Sequence, residues 1–195
     1  DTVDVVAQAT KTGLIFLLDR ETGEPVIPVE ETPVPQDGVA GEFLSPTQPM
    51  PVRPAPIVPN HLTPDDAFGV TLWDRLHCKD RISAARSEGL FTPPSLQGTI
   101  LYPFTGGGAN WGSTAFDPTR NLLVVNMSNI PHLVTLVDKT EKSSGAVLHE
   151  AEFAPMHGAP YGMTRETLLS PLGLPCSPPP WGVLAGVDLN SGNIV

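Results

Sequence analysis

The stretch "QATKTGLIFLLDRETGEPV", residues 8–26, decides the fold, because it holds two tight turns around one apolar strand. "LIFLL" (14–18) is a short continuous apolar run, which is typical of a strand buried on both faces. "TKTG" (10–13) precedes this run and "DRETG" (19–23) follows it. The aspartate that opens the second turn and the glycine that closes it suit a type I turn. The stretch therefore predicts a three-stranded β-meander over residues 3–27.

A near copy of the second turn, "DLNSG", returns at residues 188–192, again after an apolar strand. "AFDPTRNLLVV" is a looser relative that lacks the glycine. Hairpins of one type that recur along a chain, with four strands to each repeat, indicate a β-propeller. Two such turns also arise by chance, because aspartate and glycine are common in hairpins. With loop insertions, the spacing of the two copies indicates roughly three blades.

The middle of the chain differs in composition, since residues 28–64 hold ten prolines. Proline lacks a backbone donor and cannot occupy a central strand. Disorder is one interpretation, and the other, which we favour, is a long ordered loop carrying apolar side chains. "TPDDAFG", from Thr63, has the threonine, proline and acids of a helix start. "WDRLHCKDRISAARSEG" (73–89) predicts a short helix, and "TRETLLSPLG" (164–173) predicts one or two helical turns.

The remaining periodic segments predict strands separated by turns. They are 95–104, a hairpin over 113–127 around "DPTRN", 132–137, and a strand, turn and strand over 181–195. The expected fold is therefore all-β, with one or two short helices and a long proline-rich loop.

The charge excludes one large class of partner, because 21 acidic residues outnumber 11 basic ones and give a formal net charge of −10. Nucleic-acid binding requires clustered lysine and arginine, and the sequence has no such cluster. No apolar run approaches the 18 or more residues of a membrane span, and no signal peptide is recognisable. Both ends of the chain suggest a piece of a longer protein.

Few side chains form a pattern with chemical meaning. Cys78 and Cys176 are far apart and belong to no CxxC pair, so their spacing leaves a disulfide and two buried thiols equally open. The five histidines lack metal-ligand spacing, and no serine lies in a GxSxG turn.

Longer segments resemble one family closely. They are "QATKTGLIFLLDRETGEPVIPVEE", "LTPDDAFGVTLWDR", "RSEGLFTPPSLQGT", "NWGSTAFDP" and "LLSPLGLPCSPPPWGVLAGVDLNSG". The chain resembles the membrane-associated, pyrroloquinoline quinone (PQQ)-dependent quinoprotein dehydrogenases of the glucose, quinate and shikimate type, from about Val3 to Val195. The resemblance implies a fragment of an eight-bladed propeller that holds PQQ near its axis, beside Ca²⁺ or Mg²⁺. It also implies oxidation of a sugar or cyclic polyol, with electrons passed to ubiquinone on the periplasmic side of a bacterial inner membrane.

The same resemblance assigns cofactor contacts to Lys11 of "TKTG" and to Asn110 and Trp111 of "GGGANWG" (106–112). A fixed ammonium stabilises the negative charge that grows on quinone oxygens during alcohol oxidation. An asparagine amide can donate to those oxygens, and an indole offers a flat face. A solvated turn lysine and a packing tryptophan are the alternatives. Consecutive glycines let the backbone approach a ligand closely.

Other parts of the family's site are expected outside this chain. The family's aspartate base precedes the "QATKTG" strand, and neither Asp1 nor Asp4 sits in a matching motif, so no catalytic residue is assigned here. Most metal ligands are expected elsewhere too. A periplasmic location is oxidising, which favours a Cys78–Cys176 disulfide.

We expect the fragment alone to be inactive and, because unpaired strand edges recruit other chains, to self-associate. A non-catalytic propeller scaffold and a PQQ-dependent alcohol dehydrogenase are the rival functions.

Overall fold

The computed structural model describes residues 2–139 and 151–195. Within these ranges the chain forms strands, one α-helix, α1 (Leu72–Ala84), and a 3₁₀ turn at Pro64–Asp66. The strands are β1 (Val5–Ala9), β2 (Ile15–Asp19), β3 (Val29–Pro33), β4 (Thr47–Pro51), β5 (Thr99–Leu101), β6 (Thr114–Asp117), β7 (Leu122–Ser128), β8 (His132–Asp138), β9 (Glu152–Ala154), β10 (Tyr161–Thr167), β11 (Gly182–Asp188) and β12 (Asn193–Ile194). The mostly-β class is confirmed, and the number of blades stays a prediction.

Four sheets contain these strands, in the orders β1-β2, β3-β4, β5-β8-β10-β9 and β12-β11-β7-β6. All pairs are antiparallel. The last sheet, which we call the Asp-turn sheet, matches the four-stranded pattern of a blade. The strands of this sheet are not consecutive in sequence. Between β7 and β11 the chain forms β8, β9 and β10, which pair with β5 in the other four-stranded sheet. We call that second one the stapled sheet.

Aspartates close both hairpins of the Asp-turn sheet. The Asp117 carboxylate accepts the backbone N–H of Thr119 at 2.9 Å, and the Asp188 carboxylate accepts that of Asn190 at 2.9 Å. A carboxylate that accepts a backbone N–H two residues on fixes a tight turn locally. The predicted hairpins around "DPTRN" and "DLNSG" are confirmed.

The β1–β2 hairpin packs on one face of the Asp-turn sheet. Ile15 and Leu17 from β2 meet Val125, Met127 and Val187, and all five are at most 4% exposed. Burying an aliphatic side chain of this size contributes about 1.5–3 kcal/mol. This core fixes where the turn between β1 and β2 lies relative to β7.

The predicted third strand of the meander is wrong. Pro25 makes a single bridge to Leu18, after which the chain leaves the hairpin. Strand β3 pairs instead with β4, so residues 28–64 contain a hairpin of their own despite the prolines. That hairpin has only two strands, so a proline is tolerated where its missing donor would face outward from the pair.

The predicted helix over residues 73–89 is observed as α1, and the helix-start signals at Thr63 produce the 3₁₀ turn Pro64–Asp66, whereas the helical turns predicted over 164–173 are wrong. The Thr71 hydroxyl accepts the backbone N–H of Asp74 at the start of α1, which ends at Ala84 rather than at Gly89. Residues 161–167, of which the last four fall in the predicted helix, form β10 and pair with β8 along their whole length. Sheet pairing overrides the weak helix preference of that segment.

A disulfide links α1 to the segment after β10. Cys78 and Cys176 are bonded, with 5.2 Å between their Cα atoms and 98 positions between them in sequence. Both are fully buried, in a cluster with Leu62, Ile82 and Leu168. The helix is thereby held against the end of the stapled sheet.

Candidate cofactor site

The "TKTG" turn and the glycine segment meet through their backbones. The N–H of Gly108 donates to the carbonyl oxygen of Lys11 at 2.8 Å, and the carbonyl oxygen of Gly108 accepts from Ser128 at 2.8 Å. A longer bond of 3.4 Å runs from the Ala109 N–H to the carbonyl oxygen of Thr10. Residues 106–109 therefore lie between the β1–β2 turn and the end of β7.

Glycine is required where this segment touches Lys11. Gly107 has φ +97°, and a Cβ there would lie 2.6 Å from Cγ and 2.7 Å from Cα of Lys11. Gly108 is also crowded, since its Cβ would come within 3.2 Å of the Cα of Gly13. Only a residue without a side chain permits this approach with a positive φ.

The ammonium of Lys11 is exposed, and few groups among the described residues neutralise its charge. Its one hydrogen bond goes to the carbonyl oxygen of Thr105 at 3.5 Å, which is long. Lys11 takes part in none of the ion pairs formed within residues 2–139 and 151–195. Its positive charge is consequently available to an anionic group.

Behind Thr105 lies a polar network that the sequence did not predict. The Thr105 hydroxyl hydrogen-bonds Nδ1 of His132 at 3.0 Å, and Nε2 of His132 hydrogen-bonds the Thr167 hydroxyl at 3.3 Å. Arg165 donates to the Thr105 hydroxyl at 3.4 Å and is paired with Glu152. Burial, and then the Arg165 charge, lower the pKa of His132. No spacing rule joins residues so far apart, so only the fold could identify this network.

A cavity of about 230 Å³ opens beside Lys11. Its lining is mostly apolar, and its polar members include Thr12, Thr105 and the charged Lys11. The other lining residues are Gly89, Leu90, Phe91, Leu101, Tyr102, Pro103 and Phe104.

Asn110 and Trp111 follow the glycine segment directly and are both exposed. The Trp111 side chain is 94% exposed, and neither residue lines the 230 Å³ cavity. The structure thus brings the Lys11 backbone and residues 106–109 together, and leaves Asn110 and Trp111 on the surface that adjoins them. Their contact with a cofactor stays a prediction.

Two further features of the expected enzyme have no counterpart in the described part of the chain. No group of three or more His, Cys, Asp or Glu side chains within it could hold a metal ion. None of its helices is long and apolar enough to cross a membrane.

Comparison with known proteins identifies the family. The family model "Glucose/ethanol/alcohol dehydrogenase, beta-propeller domain", of the PQQ group, matches residues 1–195. The chain belongs to this family. No solved structure matches it significantly.

Curated members of this PQQ family match along nearly the whole chain. "Quinoprotein glucose dehydrogenase" of Escherichia coli K12 is 37% identical over 99% of it, and "Quinoprotein glucose dehydrogenase A" of Acinetobacter calcoaceticus is 39% identical over 100%. "Quinate/shikimate dehydrogenase (quinone)" of Acinetobacter baylyi is 33% identical over 99%. The chain spans 25% of the length of each of these relatives.

Proposed function

We propose that this chain is part of a PQQ-dependent dehydrogenase that oxidises a CH–OH group of a sugar or cyclic polyol. The relatives named as glucose and quinate/shikimate dehydrogenases support the substrate class. Transfer of the electrons to ubiquinone, on the periplasmic side of a bacterial inner membrane, belongs to the same proposal. So does a Ca²⁺ or Mg²⁺ ion held by ligands outside the described residues.

Three observations fit PQQ, which carries three carboxylates and an ortho-quinone. The Lys11 ammonium is exposed and makes a single long hydrogen bond. The backbone at Gly107 leaves no room for a side chain beside Lys11, so the lysine and the glycine segment form one surface. Next to them, Trp111 exposes almost its whole indole, a flat face on which a planar ring system can stack.

When bound, PQQ supplies a quinone that accepts two electrons from the CH–OH group. The ammonium of Lys11 offers positive charge to the carboxylate and quinone oxygens, which favours the more negative transition state over the ground state. The amide of Asn110 can donate a hydrogen bond to one of those oxygens. The carbonyl oxygen of Thr105 and the backbone at Gly107 limit where the Lys11 side chain can lie.

The meeting of Lys11 with residues 106–109 carries this proposal, and replacing Lys11 tests it. In the protein at its full natural length, Lys11→Ala should lower kcat about 10²–10³-fold, the usual loss for one oxyanion-stabilising donor. Lys79→Ala is the matched control, because Lys79 lies on α1 and pairs with Asp65. PQQ uptake followed by absorbance, with Ca²⁺ present, gives a second measurement. Equal kcat and equal uptake in both variants would contradict the role of Lys11.

Gly107→Ala tests the close approach of the Gly107 backbone to Lys11 rather than the charge of the lysine. Because a Cβ at Gly107 would collide with Lys11, we expect weaker PQQ uptake although the ammonium is retained. Gly23→Ala is a control, since Gly23 also has a positive φ but has nothing within 4 Å of its Cβ position.

An alcohol dehydrogenase with the same cofactor is the second candidate. The "Glycerol dehydrogenase large subunit" of Gluconobacter thailandicus is 36% identical over the whole chain, which spans 28% of that relative. Dye reduction with glucose, quinate, shikimate and glycerol separates the two substrate classes. A protein that takes up no PQQ at all would instead fit the non-catalytic scaffold.

A further inference from the structure

The turn at residues 88–92 has no role in the site described so far, yet it forms one wall of the 230 Å³ cavity beside Lys11. Gly89, Leu90 and Phe91 line the cavity together with Lys11 and Thr12, about 80 positions earlier in the chain. Phe91 remains 38% exposed although it is a large aromatic side chain.

The backbone of Phe91 is held in an uncommon conformation. Its φ is +63°, in the left-handed region that aromatic residues seldom adopt. The buried Thr92 locks the turn, because its hydroxyl donates to the carbonyl oxygen of Gly89 at 2.8 Å and accepts the N–H of Glu88 at 3.1 Å. A left-handed non-glycine residue costs of order 1–3 kcal/mol, and such residues cluster at ligand sites.

Phe91 also lines a cavity that it shares with the proline-rich segment. A second cavity, of about 220 Å³, lies between Phe91 and residues of the β3–β4 region such as Val34 and Leu44. Arg86, just before the turn, donates to the carbonyl oxygen of Asp37. Phe91 therefore lines both the cavity of the proline-rich segment and the cavity beside Lys11.

The geometry points to Phe91 as a substrate-binding residue, whose ring forms the apolar wall on which the ring of a sugar or cyclic polyol packs beside Lys11. This inference rests on the proposed function. It assigns the cavity of residues 89–91 and 101–105 to the substrate.

The residues that line the cavity suit a sugar or cyclic polyol. The Lys11 ammonium, with its single long hydrogen bond, serves the hydroxyl edge of the ligand, while Phe91 and Phe104 serve its C–H face. Among the described residues, no acidic side chain lines the cavity, and the one charged lining residue, Lys11, favours a neutral or anionic ligand over a cationic one. The volume lies below the roughly 300–1,000 Å³ of sites for drug-sized ligands, which suits a single ring.

Phe91→Ala in the protein at its full natural length is the test, with Phe43→Ala as the control. Phe43 is fully exposed and does not line the cavity. We expect KM for glucose and quinate to rise roughly 3- to 10-fold in Phe91→Ala, the usual contribution of one aromatic contact. KM for glycerol, which has no ring, should stay unchanged, as should PQQ absorbance. The larger rise in KM, for glucose or for quinate, identifies the substrate whose ring gains more from packing on Phe91.

Binding to the PQQ-free protein, measured by ligand-observed NMR with the same compounds, makes the result independent of turnover. Weaker glucose or quinate binding in Phe91→Ala than in Phe43→Ala supports the inference, and equal binding and equal KM overturn it. If Phe91→Ala does not fold, Phe91→Leu retains apolar volume without a flat ring and should show a smaller loss of the same sign. Absence of PQQ uptake by the wild type would refute the proposed function, whereas the NMR comparison still decides on Phe91.

Discussion

The two four-stranded sheets of this protein are held together in different ways. In the Asp-turn sheet, both hairpins are closed within a few residues by Asp117 and Asp188. In the stapled sheet, the links join distant positions. Arg81 of α1 pairs with Glu166 of β10, and the Cys78–Cys176 disulfide spans 98 positions.

This difference indicates which contacts, local or long-range, stabilise each sheet. An aspartate turn forms from its own neighbours, so its hairpin carries a low loop-closure cost. A sheet that depends on contacts between distant residues must first bring those residues together. We therefore expect α1 and the stapled sheet to depend on a few long-range links, whereas the β6–β7 and β11–β12 hairpins of the Asp-turn sheet depend on local ones and only its β7–β11 pairing is long-range.

Removing the disulfide should lower the free energy of unfolding more than any other change proposed here. Replacing both Cys78 and Cys176 by serine should lower the free energy of unfolding by about 4–5 kcal/mol, since the bond closes a loop of nearly 100 residues. Urea unfolding measures this loss. Hydrogen exchange should accelerate in α1 and β10 and much less in β7 and β11. Equal acceleration in both sheets would contradict the comparison.

A buried leucine beside the disulfide comes next. Leu168 is fully buried, whereas Leu172, four residues later, is 54% exposed. Leu168→Ala should lower the free energy of unfolding by about 2–5 kcal/mol through the cavity it leaves. Leu172→Ala should stay within about 0.5 kcal/mol of the wild type. A similar loss in both variants, measured by urea unfolding, would mean that burial at this end of the sheet does not govern its stability.

Acid should lower the stability of the two sheets at different pH values, and we expect these losses to be smaller than those of the disulfide and leucine variants. Burial lowers the pKa of His132 below its ordinary 6.5, so the unfolded chain binds a proton that the folded chain does not. Stability of the stapled sheet should therefore fall as the pH drops below 6.5, until the folded-state pKa is passed. Among the described residues, Thr105, Thr167, Phe104 and Arg165 face His132, and the charge of Glu152 acts on its pKa in the opposite direction to Arg165. Unfolding measured against pH, with His132→Asn as the control that cannot titrate, checks this dependence.

The Asp-turn sheet should respond only in stronger acid. The backbone N–H of Asn190 and then the Ser191 hydroxyl hold the pKa of Asp188 below 3.8. The turn is thus stabilised above that pH and loses its support as the pH falls through the folded-state pKa. Amide exchange at Asn190 and Ser191, followed by NMR, reports the change. In Asp188→Asn, which keeps an acceptor oxygen but does not titrate, the acid step should disappear.

Local signals predicted the parts of the fold that depend on neighbours in sequence. The turns at 10–13, 19–23 and 188–192 and the hairpin over 113–127 follow from residues that are adjacent in the chain. The helix predicted over 73–89 extends five residues past the end of α1 at Ala84, and the helical turns predicted over 164–173 overlap β10, because pairing with β8 determines the conformation of that segment. The β3–β4 hairpin was missed because its prolines argue against strands in general.

For the candidate site, the sequence singled out Lys11, Asn110 and Trp111 through a family resemblance, and their cofactor contacts remain to be measured. It did not indicate Phe91, Thr105 or His132. These residues carry no motif, and their importance comes from a shared cavity and from hydrogen bonds across the fold.

The sequence by itself determined the family, the acidic net charge and the aspartate turns, because long matching segments, summed charge and Asp–Gly spacing are properties of neighbouring or summed residues. Only the tertiary structure decided that β8–β10 leave the Asp-turn sheet, that the glycine segment lies against Lys11, and that Phe91 faces the same cavity. Those facts depend on packing between residues up to about a hundred positions apart, where loop closure, burial and hydrogen bonding must be satisfied together.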